Sequence, residues 1–195
     1  MIRHFTEFCK QKLKNLSDET IFRKASDSFS YHNKKCPRCR ATGKLSPYGS
    51  YYRNLVSYEN GCVTEGRVRV VRFKCASCGA THALLPDVLI PYSSYVLWFQ
   101  LTVLLAYLER TTTVVAVCER FHIAVSTLYR WKKNFLRHKD LLLGVITSQK
   151  ESALAFLKNL LESEHISDRL RDFFHRFAFS FMQCRPLTAT RTRPP

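Results

Sequence analysis

The chain of 195 residues is 46% hydrophobic and 13% aromatic, enough apolar material to bury a core and to exclude wholesale disorder. Its formal net charge of +16 comes from 31 Lys and Arg against 15 Asp and Glu and is spread along the chain, a field that attracts polyanions, nucleic acid first among them. The longest apolar run, Val96 to Leu108, is too short for a bilayer and contains Gln100 and Thr102, and no signal peptide opens the chain, so a cytoplasmic, nucleoid-associated protein without membrane contact is expected.

In chain order, residues 2–16 place Phe5, Phe8, Cys9, Leu13 and Leu16 on one helical face, predicting a surface helix packed on another element. Residues 17–35 are polar and read as loop, with a short helical turn near Thr20–Ala25. From 34 to 90 the pattern becomes β-rich. Strands are predicted over Gly49–Tyr58, Gly66–Phe73 and Ala80–Leu85, the first two joined through an Asn60-Gly61 turn.

Two C-x-x-C pairs, Cys36/Cys39 and Cys75/Cys78, lie 35 residues apart, the spacing of a zinc ribbon. Each pair predicts a tight knuckle whose backbone N–H groups reach the sulfurs; together they supply four thiolates in the tetrahedral arrangement Zn²⁺ prefers. With every position filled by sulfur, none remains for a catalytic water, so the metal holds the fold and the chain is not expected to be an enzyme. A rubredoxin-like iron centre uses similar knuckles and is the rival metal. Gly79 suits the positive φ that follows such a pair; Arg40 takes the matching place after the first pair and predicts local strain. His32 and His82 lie close enough in sequence to be substitute ligands but, with four thiolates sufficient, read as surface histidines; Cys9, Cys62, Cys118 and Cys184 read as unpaired thiols, Cys9 and Cys118 packed on apolar faces.

From Pro91 the period turns helical. Helices are predicted from Ser94 to Arg110, Thr113 to Phe121, and Thr127 to His138 with Ser126 as N-cap. The last two form a helix-turn-helix: Leu128, Trp131 and Phe135 would lock against Val114, Val117, Cys118 and Phe121, leaving Ser126, Thr127, Tyr129, Arg130, Lys133 and Arg137 to face double-stranded DNA. Lys132, on the flank, suits a phosphate. His122 stands at the turn where Gly is common and tolerates a left-handed backbone. Two further helices, Ser148–Ser163 and Ser167–Met182, carry stripes (Leu154, Leu157, Leu160, Leu161; Phe173, Phe174, Phe177, Phe181) that read as core, as a homodimer seam, or as a dock for a recombinase partner. The basic tail from 184 reads as disordered.

The CPRC knuckle, the Arg-alternating strand ending FKCASCG, the bridging helix and the VSTLYRW segment, over residues 34–138, resemble the N-terminal DNA-binding region of bacterial insertion-sequence transposases. More closely, the chain is similar to a bacterial family of short uncharacterised proteins, a domain of unknown function. The resemblance implies metal ligation by Cys36, Cys39, Cys75 and Cys78 and DNA contact from the helix starting at Ser126. Transposases continue into a nuclease domain. Here the acids beyond Asp140 (Glu151, Glu162, Glu164, Asp168 and Asp172) lie in charge-mixed helical stretches, so no strand transfer is expected. The fold class expected is α+β, in five parts: an N-terminal helix and loop (1–33), a zinc ribbon (34–90), a three-helix helix-turn-helix unit (91–140), C-terminal helices (141–183) and a tail (184–195). The function expected is that of a non-catalytic DNA-binding regulator or transposon accessory factor. Alternatives are a protein–protein adaptor, or RNA binding through Tyr51, Tyr52 and Tyr58 beside Arg53, Arg67, Arg69 and Arg72.

Overall fold

A computed structural model describes residues 1–4, 27 and 29–184. Among them, β1 (Ile2–His4), β2 (Leu45–Glu59), β3 (Cys62–Cys75) and β4 (Thr81–Pro86) form one sheet in the order β1-β4-β3-β2. β2 and β3 make a long antiparallel hairpin, paired from Leu45↔Cys75 to Glu59↔Cys62. Its two-residue loop is Asn60-Gly61, with φ of 51° and 83°. Positive φ at both positions is what a type I′ turn requires, and its twist matches that of the strands it joins. β4 pairs antiparallel with β3 only over Arg72–Lys74. Most of the hairpin is therefore a two-stranded ribbon.

The start of the chain differs from expectation. Residues 2–4, predicted as the first turn of a helix, are a strand running parallel to β4, Ile2 opposite Leu84. Tertiary contacts override the local pattern here: Ile2 is buried, and the Arg3 guanidinium donates to the carbonyls of Leu89 (2.5 Å) and Asp87 (2.9 Å). The remainder of that predicted helix, Cys9 included, the turn near Thr20–Ala25 and the tail from 185 lie outside the described residues.

The helical half contains α1 (Leu97–Glu109), α2 (Val114–Arg120), α3 (Val125–Leu143), α4 (Val145–Lys150), α5 (Ala153–Glu162) and α6 (Ile166–Phe177). Thr113 caps α2 by accepting from the Ala116 N–H at 3.2 Å, and Ser152 caps α5 by accepting from Ala155 at 3.1 Å. That second cap divides the predicted helix 148–163 into α4 and α5, because a serine hydroxyl bonds backbone amides best from outside a helix. The predicted helix 167–182 stops at Phe177, where Ala178 turns left-handed at φ 60°. The chain then folds back, burying Phe181 and Met182.

One core runs through both halves. Leu55, Val68 and Val70 of the hairpin join Leu101 and Leu104 of α1, Trp131 and Phe135 of α3, Leu157 of α5 and Phe173 of α6. Trp131 meets Tyr95 and Phe99 edge-on at centroid distances of 4.9 and 6.0 Å. The backbone also joins the halves: Val56 N–H donates to Ser94, and Val96 N–H donates to Val56. A smaller cluster of Ile2, Phe29, Leu45, Phe73 and Leu84 surrounds Cys36 and Cys75.

Two buried ionisable groups lie in the seams. Burial pushes the Asp87 carboxyl up to about 6, opposed by the Arg3 charge and by hydrogen bonds from Ser167 and the Val88 amide. Burial, with the Arg137 charge, holds His138 down to about 4. Its Nδ1 accepts from the Met182 N–H at 2.8 Å, and its ring sits among Phe173, Phe179 and Phe181.

Candidate metal centre and cationic surfaces

The hairpin brings the two cysteine pairs together from opposite ends of the segment that connects them. Cys75 ends β3 beside Leu45, and the first pair reaches it through a bridge between Lys35 and Thr42. The two knuckles repeat each other. Cys36 N–H donates to Ala41 and its carbonyl accepts from Arg40 N–H; Cys75 N–H donates to Ala80 and its carbonyl accepts from Gly79 N–H. Arg40 and Gly79, with φ of 64° and 67°, complete the two turns. The knuckles are also joined directly, Ala76 N–H donating to the Lys44 carbonyl at 2.8 Å.

The first cysteine of each pair is fully buried; Cys39 is exposed and Cys78 partly so. All four Sγ atoms lie within 4.8 Å of one another, with Cys36–Cys78 and Cys39–Cys75 each at 3.7 Å. A tetrahedral ion with bonds of about 2.3 Å sets its sulfurs about 3.8 Å apart, so the donor set fits a four-thiolate metal site. These separations are far longer than a disulfide bond.

Backbone amides point at the sulfurs. The Arg38 N–H lies 3.4 Å from Cys36 Sγ. The Ala41 amide draws the Cys39 thiol down to about 6. The Ala80 amide pulls Cys78 the same way, but desolvation and its three sulfur neighbours carry that thiol up to about 11. Four thiols this close resist losing every proton unless a cation replaces them.

His82, expected on the surface, is buried. Its Nε2 lies 3.3 Å from Cys36 Sγ, and its Nδ1 lies 3.3 Å from the Met1 amino nitrogen. Desolvation, with the Met1 amine and Arg38, lowers its pKa and favours the neutral ring. The sequence signal was its place in β4, where Thr81 is exposed and His82 buried in the alternation of a strand. His32 is exposed, as are Cys62 and Cys184; Cys118 is buried.

The second predicted site lies on α3. Leu128, Trp131 and Phe135 are buried, while Ser126, Tyr129, Arg130, Lys133 and Arg137 are exposed and Thr127 is half-buried. His122 adopts φ 50° in the turn before it. The helix begins two residues earlier than predicted: Ala124, in extended conformation, is the N-cap, and Ser126 lies inside the first turn. That places Val125, 42% exposed, beside Ser126 and Tyr129, a residue the sequence reading omitted. Lys132 is held by the chain itself, donating to Tyr107 Oη at 2.9 Å with its ammonium over the Tyr107 and Tyr129 rings. Arg137 lies over the Phe179 ring.

In the C-terminal stripes, Leu157, Leu160, Phe173 and Phe181 are buried in the chain's own core, and Leu154, Leu161, Phe174 and Phe177 are half-buried. Among the described residues, the four cysteines are the one group of three or more His, Cys, Asp or Glu placed to share an ion. No helix of the described residues is long and apolar enough to cross a membrane.

No curated protein and no solved structure matches the chain. Residues 36–131, from the first of the four clustered cysteines to the tryptophan in the core, match the family described as Domain of unknown function (DUF6431).

Proposed function

We propose that the chain is a non-catalytic, zinc-stabilised DNA-binding protein, in which α2, its turn and α3 act as a helix-turn-helix on double-stranded DNA. Its resemblance to the DNA-binding region of transposases makes a regulator or transposon accessory factor the fitting role. The carrying observation is the division of α3: Leu128, Trp131 and Phe135 are buried, while Ser126, Tyr129, Arg130 and Lys133 stay in solvent. A helix anchored on one side and cationic on the other fits a major groove, with Arg130 suited to guanine and Lys133 to phosphate. Cys36, Cys39, Cys75 and Cys78 would hold the ion. Four thiolates occupy the whole coordination sphere, which supports a structural role and favours zinc, although iron accepts the same ligands.

An electrophoretic shift on duplex DNA selected from random sequence tests the reading. Binding should weaken steeply with salt, and Arg130→Ala should cost about 1–3 kcal/mol while relaxing the preference at one base position. Absence of any shift at low salt with zinc loaded sinks the proposal.

A further inference from the structure

The β2–β3 ribbon carries cations that the helix-turn-helix reading does not use. Its register sorts them. Residues paired across an antiparallel ladder share a face, and successive residues alternate. Arg53↔Val68 and Tyr51↔Val70 lie on the inner face, where Val68 and Val70 are buried and Arg53 donates to the carbonyls of Ile90 and Ser93. Arg53 is thus a structural tie. Tyr58 is engaged too: its hydroxyl accepts from Arg120 Nε and a terminal guanidinium nitrogen, and its ring packs on Phe121.

The opposite face carries Tyr52↔Arg69, Asn54↔Arg67 and Ser50↔Val71. Tyr52 is 54% exposed, and Asn54, Arg67 and Arg69 are exposed. The Arg67 guanidinium reaches diagonally over the Tyr52 ring at 5.3 Å, and Arg69 Nε donates to Ser50 Oγ at 2.9 Å. Ion pairs such as Lys158–Glu109, His165–Asp168 and Arg171–Asp168 lie in the helical half. Among the described residues, no carboxylate lies within ion-pair distance of Arg67 or Arg69.

We propose that this outer face is a second nucleic-acid site, a stacking platform for an unpaired DNA strand. Two guanidinium groups suit successive phosphates, and the Tyr52 ring, backed by Arg67, offers a flat surface for a base. In a duplex the bases are stacked on one another and leave such a ring nothing to stack on, so the platform favours a separated strand. Asn54 supplies a further donor and acceptor at the base edge. The identity of the strand as DNA rests on the DNA-binding reading above; the platform itself does not depend on α3.

The test is fluorescence anisotropy of the full chain with labelled oligo(dT), oligo(U) and a mixed-sequence duplex at low salt. Tyr52→Ala and Arg67→Ala should each weaken oligo(dT) binding at least about fivefold and leave the duplex affinity within about twofold. Tyr52→Phe, which keeps the ring, should bind oligo(dT) as the native chain does. Arg130→Ala should show the reverse selectivity. If the native chain binds oligo(dT) in this manner but no duplex, the helix reading falls and the platform stands. Oligo(dT) binding that is absent, or indifferent to Tyr52→Ala, overturns the proposal, as does a preference of tenfold or more for oligo(U).

Discussion

Arg40 and Gly79 occupy the same place in two equivalent knuckles, at φ of 64° and 67°, yet only one of them is glycine. A side chain with a Cβ is strained there, and Arg40 is exposed, so nothing apolar offsets the strain. Arg40→Gly should raise the unfolding free energy by about 0.5–1 kcal/mol, read from a denaturant midpoint at unchanged slope. His82 acts in the opposite sense, as a support for Cys36. Removing a partner of a metal ligand commonly lowers metal affinity about 10–100-fold, and His82→Ala should do so in a chelator competition. A cobalt-loaded sample should also shift its thiolate-to-metal absorption, which a merely weakened fold would not move. An unchanged affinity and spectrum would reduce His82 to a packing residue. The four cysteines were legible in the sequence because their chemistry and spacing are local. The contact of His82 with Cys36 was not, although the alternation of β4 marks His82 for burial: that contact crosses 46 residues and exists only once β4 has paired.

At the level of elements, the helices were legible wherever the apolar period was strong. α1 and α2 lie within three residues of their predicted bounds, and α3 starts two residues early and runs five further, to Leu143, with Leu128, Trp131 and Phe135 recurring on one face and meeting a core. The hairpin was legible through Asn60-Gly61 and through the alternation of Arg67, Val68, Arg69 and Val70. Helix starts were less so. The buried Ile123 and the left-handed His122 set the angle at which the chain enters α3, so Ala124 becomes the boundary and Ser126 is carried inside the first turn. The strand at Ile2 was illegible for a different reason: a three-residue parallel pairing leaves no period to read. Trp131→Ala tests how far α3 depends on its anchor. The ring is 1% exposed and touches both Tyr95 and Phe99. Its loss should cost about 3–5 kcal/mol in thermal or denaturant unfolding. A loss below 1 kcal/mol would mean that α3 is held mainly by Leu128 and Phe135.

Across the whole molecule, Asp87 and His138 set opposing responses to acid. Asp87 has a native pKa of about 6 against an ordinary 3.8, so the folded chain keeps a proton that the unfolded chain has lost. Its burial therefore costs stability progressively as pH rises from about 4 to 6. His138, held at about 4 against an ordinary 6.5, stays neutral in the fold while the unfolded chain takes up a proton. Its contribution is lost as pH falls through the same window. The two slopes largely offset each other in the native chain. Asp87→Asn removes one of them, so the difference in unfolding free energy between variant and native chain should move by about 2 kcal/mol in the variant's favour from pH 4 to pH 7. A difference that stays flat across that range would mean that Asp87 titrates normally. The ribbon also sets the order in which parts can come loose. Its sulfur end is the part that an ion shared by the four cysteines would hold, whereas its looped end is fastened to the helices through Val56, Leu55 and the Tyr58–Arg120 contact. Stripping such an ion would therefore fray the molecule from one side only, like a zip opened at the bottom with its slider still locked at the top.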